Sequence, residues 1–260
     1  MPGARSRPSF PVVLIVDAET AAADSAAAGG AEKQQYVRRI FSEIAPRYDL
    51  LNHLLSFNID RSWRRRAIRA LQWHRKPTGL YIDLCAGTLD AGAMLARQPG
   101  FAGLVMGADF AEPMLQAGIG KAARDVVAPV AADAMELPLA NGAAAGAIVA
   151  FGIRNVADLD AALAEIHRVL APGARFVVLE FSTPPSAIVR AAYHAYFHHA
   201  LPALGGAISG QRTAYRYLPR SVANFPEPAD FAHRVARAGF ANVRWDRLTL
   251  GIATMHVAER

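Results

Sequence analysis

At 260 residues the chain is long enough to bury one sizeable hydrophobic core. Its hydrophobic share of 53% carries much alanine, and no run of about 18 strongly apolar residues is free of charge and proline, which argues against a membrane-spanning helix. Cys85 is the only cysteine, so an internal disulfide is excluded and a reducing cytoplasm fits; the net charge of +6 favours an anionic partner.

Residues 1–33 read as a disordered tail, since Ala, Gly, Ser and Thr dominate from Ala18 to Ala31. The apolar block Pro11 to Val16 is short and runs into Asp17 and Glu19, a weak secretion signal. Order is expected from Gln34. Val37, Ile40, Phe41 and Ile44 form one helical face that Pro46 stops. Tyr48 to Asn52 then mixes polar and apolar residues, as a segment covering a site would.

Arg61 to Leu71 predicts an amphipathic helix with Trp63, Ala67, Ala70 and Leu71 on one face and arginines on the other. Seven basic residues and no acidic one lie between Arg61 and Lys76. Two readings stay open for Arg61, Arg64, Arg65 and Arg66: a solvated face, or a surface for anionic lipid. No nucleic acid is expected, because no aromatics are interleaved as a stacking platform.

From Leu80 short apolar runs alternate with helical patterns. Strands are expected at 80–85, 104–109, 126–132, 146–151 and 174–181, and helices at 90–98, 112–123, 158–170 and 186–201. Asp158 caps the third helix and Pro172-Gly173 end it. A helix after Pro228 and a closing strand pair, Val243 to Trp245 and Ile252 to Ala258, follow. This alternation predicts an α/β fold, a mostly parallel sheet with helices on both faces.

Leu80 to Asp90 reads as a strand, a tight turn and a helix start, the place where such sheets bind nucleotides. The turn Cys85-Ala86-Gly87-Thr88-Leu89-Asp90 lacks the later glycines of a dinucleotide loop, and there is no Gly-Lys-Ser/Thr phosphate cradle. A nucleoside without phosphates fits better, and S-adenosylmethionine is one. Asp109 ends the second strand and can hold ribose hydroxyls. Asp133-Ala134 ends the third and can meet the adenine. Asp83 can orient the loop or take the amino group. His194 and His198 stand at i, i+4 without an evident third ligand, and no metal site is expected.

Ile40 to Asn52, Leu55-Ser56-Phe57 with Arg61 to Arg64, and above all Ala150-Phe151-Gly152-Ile153-Arg154-Asn155-Val156 resemble the ubiquinone/menaquinone biosynthesis C-methyltransferase family. Arg168 to Gly173, Leu179 to Ser182, Tyr215 to Val222 and Gly251-Ile252-Ala253 follow at its spacing, so the resemblance covers about residues 34–258. It implies a Rossmann-like class I methyltransferase fold whose seven-stranded sheet ends in an antiparallel strand. It divides 34–260, read as one domain, into a helical cap (34–76), a cofactor-binding core (77–183), and substrate-side helices with the closing strands (184–260). It implies methyl transfer from S-adenosylmethionine to a ring carbon of a polyprenyl benzoquinol or naphthoquinol. Arg154 and Asn155 are the expected catalytic residues with Tyr48; Asp83, Gly87, Thr88, Asp109, Asp133, Ala134 and Ala150 are expected at the cofactor. A cytoplasmic, peripherally membrane-bound enzyme is expected, and a homodimer or biosynthetic complex is compatible with it. The alternatives are a relative acting on another aromatic ring and a non-catalytic binding subunit. The chain departs from the family at Leu89, where a second glycine is usual, at the loop 139–146, and at Asp60, where a histidine is common. A leucine disfavours positive φ, so Leu89 is expected to hinder the cofactor.

Overall fold

The structure is a computed structural model and describes residues 31–49, 56, 58–196 and 212–260. Seven strands form one sheet: β1 (Leu80–Leu84), β2 (Leu104–Asp109), β3 (Val127–Ala131), β4 (Ala144–Ala150), β5 (Leu170–Phe181), β6 (Ala241–Leu248) and β7 (Ala253–Glu259). Their spatial order is 3-2-1-4-5-7-6, and β7 runs antiparallel to both neighbours. This is the fold that the sequence implied.

Alternation along the strands builds two core layers. Ile82, Val178 and Phe176 face α5 (Leu159–Val169) and α8 (Pro228–Arg237), where Leu163, Ile166, Phe231 and Val235 are buried. Their strand neighbours Tyr81 and Val177 face the opposite layer, with Trp63 and Ile68 of α2 (Ile59–Ala70) and Leu95 of α3 (Asp90–Ala96). With helices on both sides, β4 is apolar throughout and β1 is apolar but for Asp83, as suits central parallel strands. The register sets Asp83 opposite Gly107 and Asp109 opposite Ala131, so the ends of β1, β2 and β3 share one edge.

The remaining helices are α1 (Ala31–Ile44), α4 (Glu112–Gly118), α6 (Ala187–Ala195) and α7 (Arg212–Ala223). Several ends differ from expectation. α1 starts at Ala31, ahead of Gln34. α4 stops at Gly118 because Ile119 turns extended, with ψ 131°. α5 is capped as expected, Asp158 accepting from Asp160 N and Ala161 N, but Leu170 leaves it to pair with Ala144 in the sheet. α7 was not expected as a helix. Asn52, the end of the helix expected to reach residue 201, and His198 lie outside the described residues.

Arg64 corrects the expected basic face. It is only 6% exposed, because Asp60 one turn earlier pairs with it and its guanidinium lies 5.4 Å over the Phe151 ring. Arg61, Arg65 and Arg66 do face solvent. Asp60 therefore aims an arginine inward, held in turn by Ser56 Oγ at 2.7 Å.

Candidate active site

The turn after β1 places three residues in left-handed conformation, Cys85 (φ 49°), Gly87 (φ 51°) and Leu89 (φ 64°). The position of Leu89 thus demands the positive φ that glycine adopts freely. Its side chain points away from the cleft into the core and is 4% exposed. Gly107 and Gly118 make the room: a Cβ on Gly107 would come within 2.3 Å of Leu89 Cδ2, and one on Gly118 within 2.9 Å of Leu89 Cγ. The leucine therefore strains the backbone locally without filling cofactor space.

The three strand-end carboxylates lie along one edge of the sheet. Asp109 Oδ2 accepts from Gly87 N and Oδ1 from Ala111 N, both at 2.8 Å. Asp83 Oδ2 accepts from Gly92 N at 2.7 Å. Burial pushes its pKa up to about 7, partly opposed by that hydrogen bond and by Arg64; burial also raises Asp109. Asp133 Oδ1 accepts from Met135 N at 2.9 Å, and its Oδ2 accepts from Gln34 of α1. Asp109, Asp133, Ala134 and Asn155 line one small cavity together with Gln34. A second joins Tyr48, Asp83, Gly87, Thr88, Asp90 and Ala150; a third joins Tyr48, Gly87, Asp109, Phe110 and Asn155. They share residues and form one cleft along the edge of β1, β2 and β4, closed over by α1.

The cap is fastened to this cleft by charge. Thr88 Oγ1 donates to Asp49, so this residue of the cleft lining also holds the cap. Lys121 Nζ pairs with Asp49 at 2.5 Å and with Asp90 Oδ1 at 2.6 Å. Asp90 Oδ2 is buried and has no hydrogen bond among the described residues. Tyr48 meets Phe41 edge-on at 5.9 Å. The altered loop 139–146 lies at the opposite, amino end of β4, where Arg168 Nη1 holds Leu139 O at 2.8 Å and Asn141 Oδ1 at 2.7 Å. Changes there do not touch the cleft.

Beyond β4, Phe151 takes φ 64° and Gly152 passes so near Cys85 that a Cβ would approach the Cys85 Cβ to 2.3 Å. The chain then forms a short 3₁₀ turn, Ile153–Asn155. Arg154 is buried and paired: Nη1 donates to Glu180 Oε1 and to Phe151 O, both at 2.6 Å, and Nε to Ser221 Oγ at 3.2 Å. Its guanidinium lies 5.6 Å over the Phe181 ring. Asn155 Oδ1 accepts from Tyr217 of α7 at 3.2 Å. Sequence reasoning gave no role to Glu180, Gln34 or Asp90. Glu180 carried a readable signal, a carboxylate in the apolar strand run 174–181.

The model of the ubiE/COQ5 methyltransferase family matches residues 30–260. The chain belongs to this family. It is 51% identical to the demethylmenaquinone methyltransferase of Thermus thermophilus, over 85% of this chain and 100% of that one. It is 40% identical to the ubiquinone/menaquinone biosynthesis C-methyltransferase of Geotalea daltonii, over 88% and 98%. A SAM-dependent methyltransferase structure from Thermotoga maritima shares the fold, with TM-score 0.60 and 16% identity over 85% of this chain and 98% of that one. The chain is an S-adenosylmethionine-dependent C-methyltransferase. Its residues fit that cofactor: Asp90, whose Oδ2 is buried without a hydrogen bond among the described residues, lines the cavity with Asp83 and Gly87, and a cationic amino group would supply the missing donor.

Proposed function

We propose that this enzyme methylates a ring carbon of a polyprenyl quinol, with a naphthoquinol as the preferred ring. The 51% identical relative named a demethylmenaquinone methyltransferase supports the naphthoquinol. The observation that carries the reading is the pairing of a buried cation with an aromatic wall. Arg154 and Asn155 lie on the turn after β4, beside Phe151, Phe181 and Trp63, whose rings pack at 4.6 to 6.5 Å. Such a wall suits a flat, apolar ring, and the arginine suits its oxygen.

When bound, the cofactor supplies an electrophilic methyl carbon on a sulfonium, which the ring carbon takes with net release of one proton. A phenol of pKa about 10 is a poor carbon nucleophile until it ionises. A guanidinium within about 4–6 Å favours the phenolate by 1–3 pKa units, and Arg154 Nη2, which makes no hydrogen bond among the described residues, is the donor for it. Asn155 orients the same oxygen through its amide, its carbonyl being held by Tyr217. Tyr48, against both Gly87 and the Phe151 side of the cleft, excludes water from the methyl path. Asp109, Asp133 and Ala134 hold the nucleoside, and Asp83 with the Gly87 turn holds the amino-acid end.

The exposed Arg61, Arg65 and Arg66 fit a peripheral contact with anionic lipid, from which a polyprenyl substrate is drawn. Trp63 Nε1 ties α2 to Thr249 Oγ1 at 2.9 Å, and the adjoining Leu250 is 72% exposed. Among the described residues no helix is long and apolar enough to cross a membrane. Incubation with S-adenosylmethionine and reduced demethylmenaquinone should yield a product one methyl heavier, faster than with a benzoquinol. Cofactor binding without methylation of either quinol would rule the substrate class out.

A further inference from the structure

We propose that Glu180 is a positioning residue that sets both the geometry and the effective charge of Arg154; this rests on the quinol reading above. Glu180 stands at the end of β5 and is 0% exposed. Phe151 N donates to Leu179 O at 2.7 Å, which brings the turn after β4 alongside it. Oε1 then accepts from Arg154 Nη1 at 2.6 Å and from Phe181 N at 2.9 Å, and Oε2 accepts from Arg154 N at 3.4 Å. One carboxyl thus grips both the main chain and the side chain of the same arginine. Ser221 completes the grip. Its hydroxyl donates to Leu218 O at 2.9 Å, which leaves its lone pairs to Arg154 Nε.

Three of the arginine's donor positions are committed to the protein, and Nη2 remains for a substrate oxygen. Each hydrogen bond that Glu180 makes has its carboxyl as the acceptor, from Arg154 Nη1, Arg154 N and Phe181 N, which favours the carboxylate. Burial pushes its pKa up and the Arg154 charge pulls it back. The other titratable groups facing it are Tyr193 of α6, Tyr217 of α7 and Cys85 of the β1 turn. Burial raises all three, Tyr217 to about 12, so they stay neutral beside the ion pair. Lys33 of α1, which donates to Arg154 O at 2.8 Å, is a further cation on the arginine's side, and burial and the Arg154 charge both lower its pKa. At this buried site a carboxylate subtracts from the field that Arg154 exerts on a nearby phenol. Glu180 makes a buried arginine tolerable and at the same time limits how far it acidifies the substrate.

The test compares Glu180→Gln with wild type in the pH dependence of kcat for quinol methylation, with cofactor affinity measured by calorimetry. The amide keeps an acceptor for Nη1 and removes the opposing charge. The acid limb of the kcat profile, which reports substrate ionisation, should move to lower pH by about one unit or more, with cofactor affinity within about twofold. A merely structural role would lower the melting temperature and leave that limb in place. Should Glu180→Gln fail to fold, Glu180→Asp retains the charge but withdraws it by one methylene, and kcat should fall at least about fivefold. An active wild type whose limb is unmoved in Glu180→Gln, or a Glu180→Asp enzyme at full rate, overturns the proposal alone. A wild type inactive on every quinol overturns the functional reading with it.

Discussion

Leu89 shows how a departure from a family pattern is absorbed one residue at a time. Its backbone pays roughly 1–2 kcal/mol for a left-handed conformation, while its side chain is buried where Gly107 and Gly118 leave space. Replacing it with glycine relieves the strain but opens a cavity, and large-to-small changes of this kind cost about 2–5 kcal/mol. Leu89→Gly should therefore unfold at lower urea, by a net 1–3 kcal/mol, with cofactor affinity within about twofold. Tighter cofactor binding would mean that the side chain reaches the cleft. Asp83 offers a pH test at the same scale. Its folded pKa is raised from 3.8 to about 7, so folding favours its protonated form. The stability this gives is present below 3.8 and is lost as pH rises to about 7, on the order of 4 kcal/mol in all. Asp83→Asn keeps an acceptor for Gly92 N and should gain on wild type across that window; stability curves that run parallel from pH 4 to 7 would refute the shift.

At the scale of elements, the carboxyl ends of the parallel strands were legible to within one residue, while the starts of β4 and β5, the bounds of β6 and the ends of several helices were not. Asp109 and Asp133 close apolar runs and Asp83 interrupts one near its end, and parallel pairing carries such residues to one edge. Arg64 was misread because its inward aim depends on Asp60 and on Phe151, which is 87 positions later in the chain. The same holds for Arg154: its motif was plain, but its partners Glu180 and Ser221 come from β5 and α7. Gln34 sits on Asp133 only because α1 lies across the sheet edge, a contact that no local pattern encodes. For α2, neutralising Arg61, Arg65 and Arg66 together should abolish salt-sensitive binding to anionic vesicles, while neutral vesicles stay weakly bound throughout. Vesicle binding unchanged by that triple substitution would remove α2 as the contact. Arg66 also pairs with Asp246 at 3.1 Å, an exposed pair whose loss should barely move stability.

Across the whole molecule, one sheet edge gathers the two halves of the chemistry. β1, β2 and β3 carry the carboxylates that the proposed function gives to the cofactor, and β4 and β5 lead to the Arg154–Glu180 pair beside an aromatic wall. The N-terminal cap is tied over both by Asp49, Lys121 and Gln34. The central claim is that Arg154 stabilises the ionised substrate, and it is tested most directly by single-turnover methylation of reduced demethylmenaquinone with Arg154→Gln, below the variant's melting temperature. Wild type should transfer the methyl group, and Arg154→Gln should be slower by about a hundredfold or more with cofactor affinity nearly unchanged. A variant within a few fold of the wild-type rate would contradict it.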